Sequence, residues 1–482
     1  MISRRQLLRN SAVALAASAA PSFANPATKP NPVQNVLWIL VDDLGSQDLG
    51  CYGAEFNQTP RIDAFAKESL KFTNGYSAHP VCTPTRASVQ TGNNPCRKAI
   101  NITAFQEMPA SQITIAEKLK QQKFRTYYLG KWHLGNSGSQ LPEGQGYDVN
   151  IAGNGWGQPM KGYYSPWGMK NLPNGPKGEY LTDALTQKSV DLLKTHKAKH
   201  AEKPFFMQLA FYQVHTPIQP CKRYLEHFQA RRDKFLKEGK LKAKRPSREE
   251  RGGRTSLQSG NVNFATMLAC ADESIGKVLD TLKDLGYDKN TLVILIGDNG
   301  GLSTLKKRIF GKKRDWPPTC TLPFRAGKGW CYEGGTRIPF LVRIPGMTSA
   351  GKASDTPAWT ADLYPTTMGL LGLSAPKGQC LDGVDLAPVV ANPEAELKRA
   401  HPMVWFYPHP HGSGWPGGCA IRDGKWKLLC VDKSWELYDL DTDVAESKNL
   451  ITSNPAKAKA LRGKLEAYLK TARGSLFKPL PE

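Results

Sequence analysis

The sequence predicts an α/β fold: a large, mostly parallel sheet sandwiched by helices, followed by a small C-terminal α+β subdomain with an antiparallel sheet. Three observations carry this prediction. Asn35 to Val41 and Thr291 to Ile296 are unbroken apolar runs, the pattern of strands buried on both faces. Helical and strand-like segments alternate around them, as in a parallel sheet covered by helices. From about Met403 the texture changes to short strands separated by turns.

Thr59-Pro60 supplies an N-cap and a first-turn proline for a helix with Ile62, Phe65, Ala66 and Leu70 on one face. A helix over 115–121, a strand over 124–129, a helix over 183–194 and a strand over 205–212 follow in order. A long helix spans about 262–285 before the second apolar strand. Residues 228–255 are densely basic with few apolar positions; they read as a solvated helix and loop on the surface, not as a nucleic-acid site. Residues 403–407, 418–422, 425–430 and 435–439, with the turn Asp423-Gly424, form an expected antiparallel meander closed by a helix near 456–472. The expected organisation is an export signal at 1–24, a large domain at 33–398 and a subdomain at 399–482.

The chain has 482 residues, 40% of them apolar, which excludes a disordered or low-complexity protein. Its 65 Lys+Arg against 42 Asp+Glu give a net charge of +23, which favours anionic partners. Ser3-Arg4-Arg5-Gln6-Leu7-Leu8, an alanine-rich apolar stretch and Ser22-Phe23-Ala24 read as a twin-arginine signal, so the expected location is periplasmic or secreted. No other run is long and apolar enough to suggest a membrane span. The ten cysteines show neither CxxC nor zinc spacing. Cys320/Cys331 and Cys419/Cys430 are close enough in sequence to pair, although free buried thiols are the expectation.

In an open parallel sheet, ligands gather beyond the carboxyl ends of the strands. The two most apolar strands end in Asp42-Asp43 and in Gly297-Asp298-Asn299. Either pair alone reads equally well as a turn or cap. Their matched placement points to four oxygen ligands for a hard cation, Ca²⁺ or Mg²⁺.

Cys82-Thr-Pro-Thr-Arg86 is the most specific segment of the chain. Here the sequence resembles the type I sulfatases of the alkaline phosphatase superfamily, whose C-x-P-x-R motif is read by a formylglycine-generating enzyme. The resemblance continues through Leu129-Gly-Lys131-Trp-His133-Leu-Gly135, Val214-His215-Thr-Pro217, Gly297-Asp298-Asn299-Gly300 and Ala326-Gly-Lys328-Gly-Trp-Cys-Tyr-Glu333 to Pro339. It ends at Ala420 to Leu428, so it covers nearly all of the chain after the signal.

The resemblance implies an alkaline phosphatase-like fold and a formylglycine made from Cys82, serving as nucleophile and metal ligand. It implies that Arg86 and Lys131 support the hydrated aldehyde and that His133 takes a proton from it. His215 would protonate the departing alcohol, and Lys328 would hold a sulfate oxygen. Asp42, Asp43, Asp298 and Asn299 would complete the metal site, with Ca²⁺ preferred to Mg²⁺ because a near-complete protein cage suits the larger ion. A sulfate monoester is a tetrahedral anion, so cationic groups and a metal aimed at its oxygens are what its cleavage requires.

The leading functional expectation is hydrolysis of a sulfated poly- or oligosaccharide. A phosphonate or phosphodiester hydrolase of the same superfamily is the alternative; a non-catalytic binder of sulfated polysaccharide is disfavoured because every catalytic position is filled. For substrate contacts the sequence points to Trp405, Tyr407, His409, His411 and Trp415, with His409 and His411 foremost, on a Pro/Gly-rich loop over 408–416. A basic loop over 305–314 is expected beside it at the rim of the pocket.

Overall fold

The computed structural model describes residues 33–309, 312–313, 316–374 and 379–481. The signal expected over 1–24 lies outside them, as does Arg314 of the basic loop. The main sheet has eight strands: β1 (Asn35–Val41), β2 (Leu70–Phe72), β3 (Arg125–Gly130), β4 (Val149–Ile151), β5 (Phe205–Phe211), β6 (Thr291–Gly297), β7 (Phe340–Arg343) and β8 (Ala353–Ser354). Their spatial order is β8-β2-β7-β6-β1-β5-β3-β4. Only β7 runs against the rest.

Every residue of β1, β5 and β6 is buried, which explains their near-continuous apolarity; the polar Gln208 within β5 is satisfied by Gln90 Nε2 and the Tyr147 hydroxyl, which donate to its Oε1 at 2.8 and 2.7 Å. Successive side chains of β1 serve opposite layers. Leu37, Ile39 and Val41 pack with helices α1 (Pro60–Lys67), α4 (Leu181–Lys199) and α6 (Val262–Asp284). Val36, Trp38 and Leu40 pack with α2 (Cys82–Thr91), α3 (Ile115–Gln121) and α7 (Leu363–Leu370). Local capping sets where two of these helices start. Thr114 and Glu117 satisfy each other's backbone N–H ahead of α3, and the Asn261 side chain accepts from Phe264 N ahead of α6.

The C-terminal strands β9 (Met403–Tyr407), β10 (Gly418–Asp423), β11 (Trp426–Val431) and β12 (Ser434–Asp439) form an antiparallel meander. One face, including Trp405, Ala420, Leu429 and Val431, packs on Tyr76, Trp330 and Trp359. The other, including Val404, Ile421, Leu428 and Leu437, packs on the terminal helix α8 (Pro455–Arg473) through Leu461, Leu465 and Leu469. The join also holds a fully buried ion triad: Lys427 Nζ lies 2.8 Å from Glu333 Oε1 and 3.0 Å from Glu446 Oε1.

Two expectations are corrected. The helix within 228–255 exists, as α5 (Leu225–Lys237), and residues 238–246 are a mostly exposed loop, but the remainder is not. Ser247–Glu250 and Gly253–Ser256 form a hairpin that pairs with Thr304–Lys306. Buried Glu250 holds it to Arg325 at 2.7 Å, and the Thr255 and Thr304 hydroxyls meet at 2.8 Å. The second correction concerns the aromatic residues expected to face a sugar. Trp405, Tyr407 and Trp415 are buried, with Trp405 Nε1 donating to Ser77 O and Trp415 Nε1 to Tyr407 O. They are the apolar seam between sheet and subdomain, where burial outweighs any surface role. All ten cysteines are free thiols.

Candidate active site

Four neighbouring strands, β6, β1, β5 and β3, deliver the site from their carboxyl ends. Val41 and Gly297 are in register, so Asp42-Asp43 and Asp298-Asn299 leave the sheet side by side. Asp43 N donates to Asp298 Oδ1 at 3.0 Å, and Asn299 Nδ2 donates to Asp43 Oδ1 at 2.8 Å. Oxygens of Asp42, Asp43 and Asp298 lie within 4.8 Å of one another, all buried. Lys131 follows β3, and His215 lies four residues beyond β5.

α2 begins at Cys82, so the thiol stands in the first turn where backbone N–H groups point outward. Arg86, one turn on, donates from Nε to Asp298 Oδ2 at 2.9 Å and also lies 3.6 Å from Asp42 Oδ1. Lys131 Nζ is 2.6 Å from Asp42 Oδ2. His133 reaches the same cavity because its own backbone is left-handed, with φ of 62°, held by His133 N donating to Asn154 O at 2.9 Å. Its Nδ1 lies 3.5 Å from Cys82 Sγ and 3.2 Å from Thr83 Oγ1. His215 Nε2 is 3.8 Å from Asp43 Oδ2.

Lys328 arrives from the segment after the hairpin, its Nζ 2.6 Å from Asp43 Oδ1. Gly329 beside it has φ of +84°, and a Cβ there would stand 2.0 Å from His411 Nδ1, so only glycine fits. His411 Nδ1 pairs with Ser413 Oγ at 2.8 Å, and His409 Nε2 with Thr103 Oγ1 at 3.0 Å. The 408–416 loop and the basic segment do adjoin, Lys306 N donating to Gly412 O. The catalytic and metal positions expected from sequence therefore form one cluster, and His411 abuts it through Gly329. Thr83 and Asn154, which hold the His133 ring and backbone, carried no sequence signal beyond Thr83's place next to Cys82.

The electrostatics follow from burial. Burial raises Asp42 well above the ordinary carboxylate value, Asp298 adding to it and Lys131 opposing. Burial would raise Asp43 too, but Lys328, His215 and Lys131 bring it below the usual range. Burial, with Lys328 next, pulls His215 down to about 3; burial, Lys131 and Arg86 hold His133 far below its ordinary value. Both rings are neutral at pH 7. Burial raises the Cys82 thiol despite Lys131 and Lys328.

Asp42 Oδ1 and Asn299 Oδ1 are buried without a hydrogen-bond partner. Two orphaned oxygens beside converging carboxylates are a donor set that fits a hard divalent cation.

Residues 34–373 match the sulfatase family, and residues 326–474 match the family described as N-sulphoglucosamine sulphohydrolase, C-terminal. The N-acetylgalactosamine-6-sulfatase of Rattus norvegicus is 29% identical over 389 residues, 74% of this chain. That match takes in 65% of the rat protein, a little under two thirds of its length. A sulfatase of Formosa agariphila is 26% identical over 554 residues, covering 93% of this chain and 91% of its own. The crystal structure of Ps i-CgsB in complex with k-i-k-neocarrahexaose superposes with a TM-score of 0.73 at 27% identity, covering 93% of this chain and 95% of that one.

Proposed function

The chain belongs to the sulfatase family, and from that premise we propose that it hydrolyses the sulfate ester of a sulfated poly- or oligosaccharide. The observation that carries the reading is the meeting of Cys82, at the start of α2, with His133, Lys131, Arg86, His215 and Lys328 around one acidic cluster. Asp42, Asp43, Asp298 and Asn299 would hold one divalent cation, Ca²⁺ before Mg²⁺, which would draw electrons from the ester oxygens. Oxidised to formylglycine by a formylglycine-generating enzyme, residue 82 would supply a hydrate with two hydroxyls, one to attack sulfur and one to expel sulfate, and a further ligand for the cation.

The chain's own groups do the rest. With a divalent cation bound, Asp42 would be held ionised along with Asp43 and Asp298; these three negative charges against three positive ones on Arg86, Lys131 and Lys328 would then leave the loaded site positive for an anionic ester. Lys328 holds a sulfate oxygen, and Arg86 and Lys131 keep the nucleophile in place. Neutral His133 is ready to accept a proton at Nδ1, the atom facing residue 82. His215 serves the departing alcohol; a bound anion opposes the Lys328 field and raises the ring's proton affinity. His409 and His411 contact the sugar at the rim. Residues 33–398 make the catalytic domain and 399–482 the subdomain that closes it, and a twin-arginine signal at 1–24 carries the protein to the periplasm or beyond. No helix among the described residues is long and apolar enough to cross a membrane.

The test is twofold. The mass of the peptide containing Cys82 reports conversion to the aldehyde. Sulfate release set against phosphate release from matched aryl esters separates a sulfatase from a phosphonate or phosphodiester hydrolase, and release of neither leaves only a binder.

A further inference from the structure

Phe105 is the one exposed phenylalanine, tyrosine or tryptophan side chain among the described residues, with 56% of its surface in solvent. An exposed phenyl ring forgoes the stabilisation a core position gives, so its surroundings matter. One face is covered: the ring stacks on His133, centroids 6.0 Å apart and planes 27° from parallel. His133 in turn lies 3.5 Å from Cys82 Sγ, so the Phe105 ring stands one side chain away from the reacting residues with its other face open.

The loop displaying this ring is held from both ends. Ile102 and Met108 are fully buried on either side, and Met108 N donates to Leu134 O at 2.8 Å. Gln106 Oε1 accepts from Thr103 N at 3.1 Å and from Ala104 N at 2.8 Å. Thr103 Oγ1 meets His409 Nε2 at 3.0 Å, so one short loop touches His133 through its ring and His409 through its hydroxyl. Such bracing presents a flat apolar surface at little further entropic cost on binding.

We propose that the exposed face of Phe105 is the platform on which the pyranose ring bearing the sulfate ester stacks, an assignment that rests on the sulfate-ester reading above. The cationic cluster accounts for the sulfate but offers nothing to the ring that carries it. A pyranose presents a flat face of C–H groups, which suits the electron-rich face of a phenyl ring. Binding sites of this kind pair a few placed polar groups with aromatic walls.

The test is binding to the Cys82→Ala protein, which needs no turnover. Adding Phe105→Ala should raise the Kd of a pyranose monosulfate by about tenfold and change that of inorganic sulfate by less than about twofold. Phe105→Trp should restore the pyranose affinity. Equal weakening of both ligands would show that Phe105 only supports the anion site, and no weakening of either would remove it from the pocket; both overturn the proposal. Sulfate release by the Cys82 protein is scored separately, so loss of the hydrolase reading is seen independently of the Phe105 result.

Discussion

The ammonium of Lys328 lies 2.6 Å from Oδ1 and 2.8 Å from Oδ2 of Asp43, although 285 residues separate the two in sequence. Asp42 has its own ammonium, that of Lys131, at 2.6 Å. Adjacent carboxylates on one strand end are thus each met by a lysine from a different part of the chain. Like charges so close and so deeply buried persist only with such partners.

Lys328→Met should expose that dependence. Asp43 would be left buried without its main counter-charge, costing about 3 kcal/mol of stability, and kcat/KM for a sulfate ester should fall by about 100-fold or more. Thermal melts and steady-state kinetics check both. Unchanged kinetics would remove Lys328 from the substrate site.

Asn299→Leu removes one orphaned buried oxygen while keeping the branched heavy-atom shape of the side chain. Metal analysis of the original protein should return one hard divalent cation per chain, and the variant should lose most of it. Chelation should abolish activity, with Ca²⁺ restoring it. Stoichiometric zinc, or activity surviving exhaustive chelation, would count against the oxygen cage.

Cys82→Ala should abolish turnover, by about 1,000-fold or more, while an anionic ligand still binds, because a nucleophile acts only along the reaction path. Cys82→Ser should behave alike in a host that converts only cysteine. Wild-type kcat in either would refute the assignment.

The double variant His409→Ala, His411→Ala should lose kcat/KM on a sulfated oligosaccharide about tenfold more than on a small aryl sulfate. Both rings stand on the 408–416 loop, which adjoins the Lys328 segment at Gly329. Equal losses on the two substrates would take the loop out of sugar recognition.

His79 is buried with its ring edge-on to Tyr407 at 4.7 Å, and burial, with His409 and His411, pulls it down to about 3 from an ordinary 6.5. Below pH 6.5 the unfolded chain takes up a proton that the native chain refuses until about pH 3. Native stability therefore falls as pH drops through that window, by about 2 kcal/mol at pH 5 from this one ring. His79→Gln should flatten the loss of Tm between pH 7 and pH 5. An unchanged slope would assign the acid sensitivity to other groups.

Local pattern alone determined the parallel sheet, the meander and the paired polar residues Asp42-Asp43 and Asp298-Asn299 at the strand ends; Cys82, Arg86, Lys131, His133, His215 and Lys328 were legible only through the family resemblance of their motifs. Strands buried on both faces are apolar almost throughout, so β1, β5 and β6 announce themselves, and the polar residues that follow β1 and β6 stand out. Tertiary structure decided what depends on distant partners. The strand 253–256 exists because it pairs with 304–306, a register no local period reveals. His133 turns inward because a left-handed backbone is held there by Asn154, from another segment. Which aromatic rings face solvent was likewise a tertiary matter. Trp405 and Trp415 have the composition of a sugar platform but are consumed by the seam beneath them, whereas Phe105, an ordinary apolar letter in sequence, is left in the open beside His133. Burial is a property of what packs against a residue, and that is set by parts of the chain hundreds of positions away.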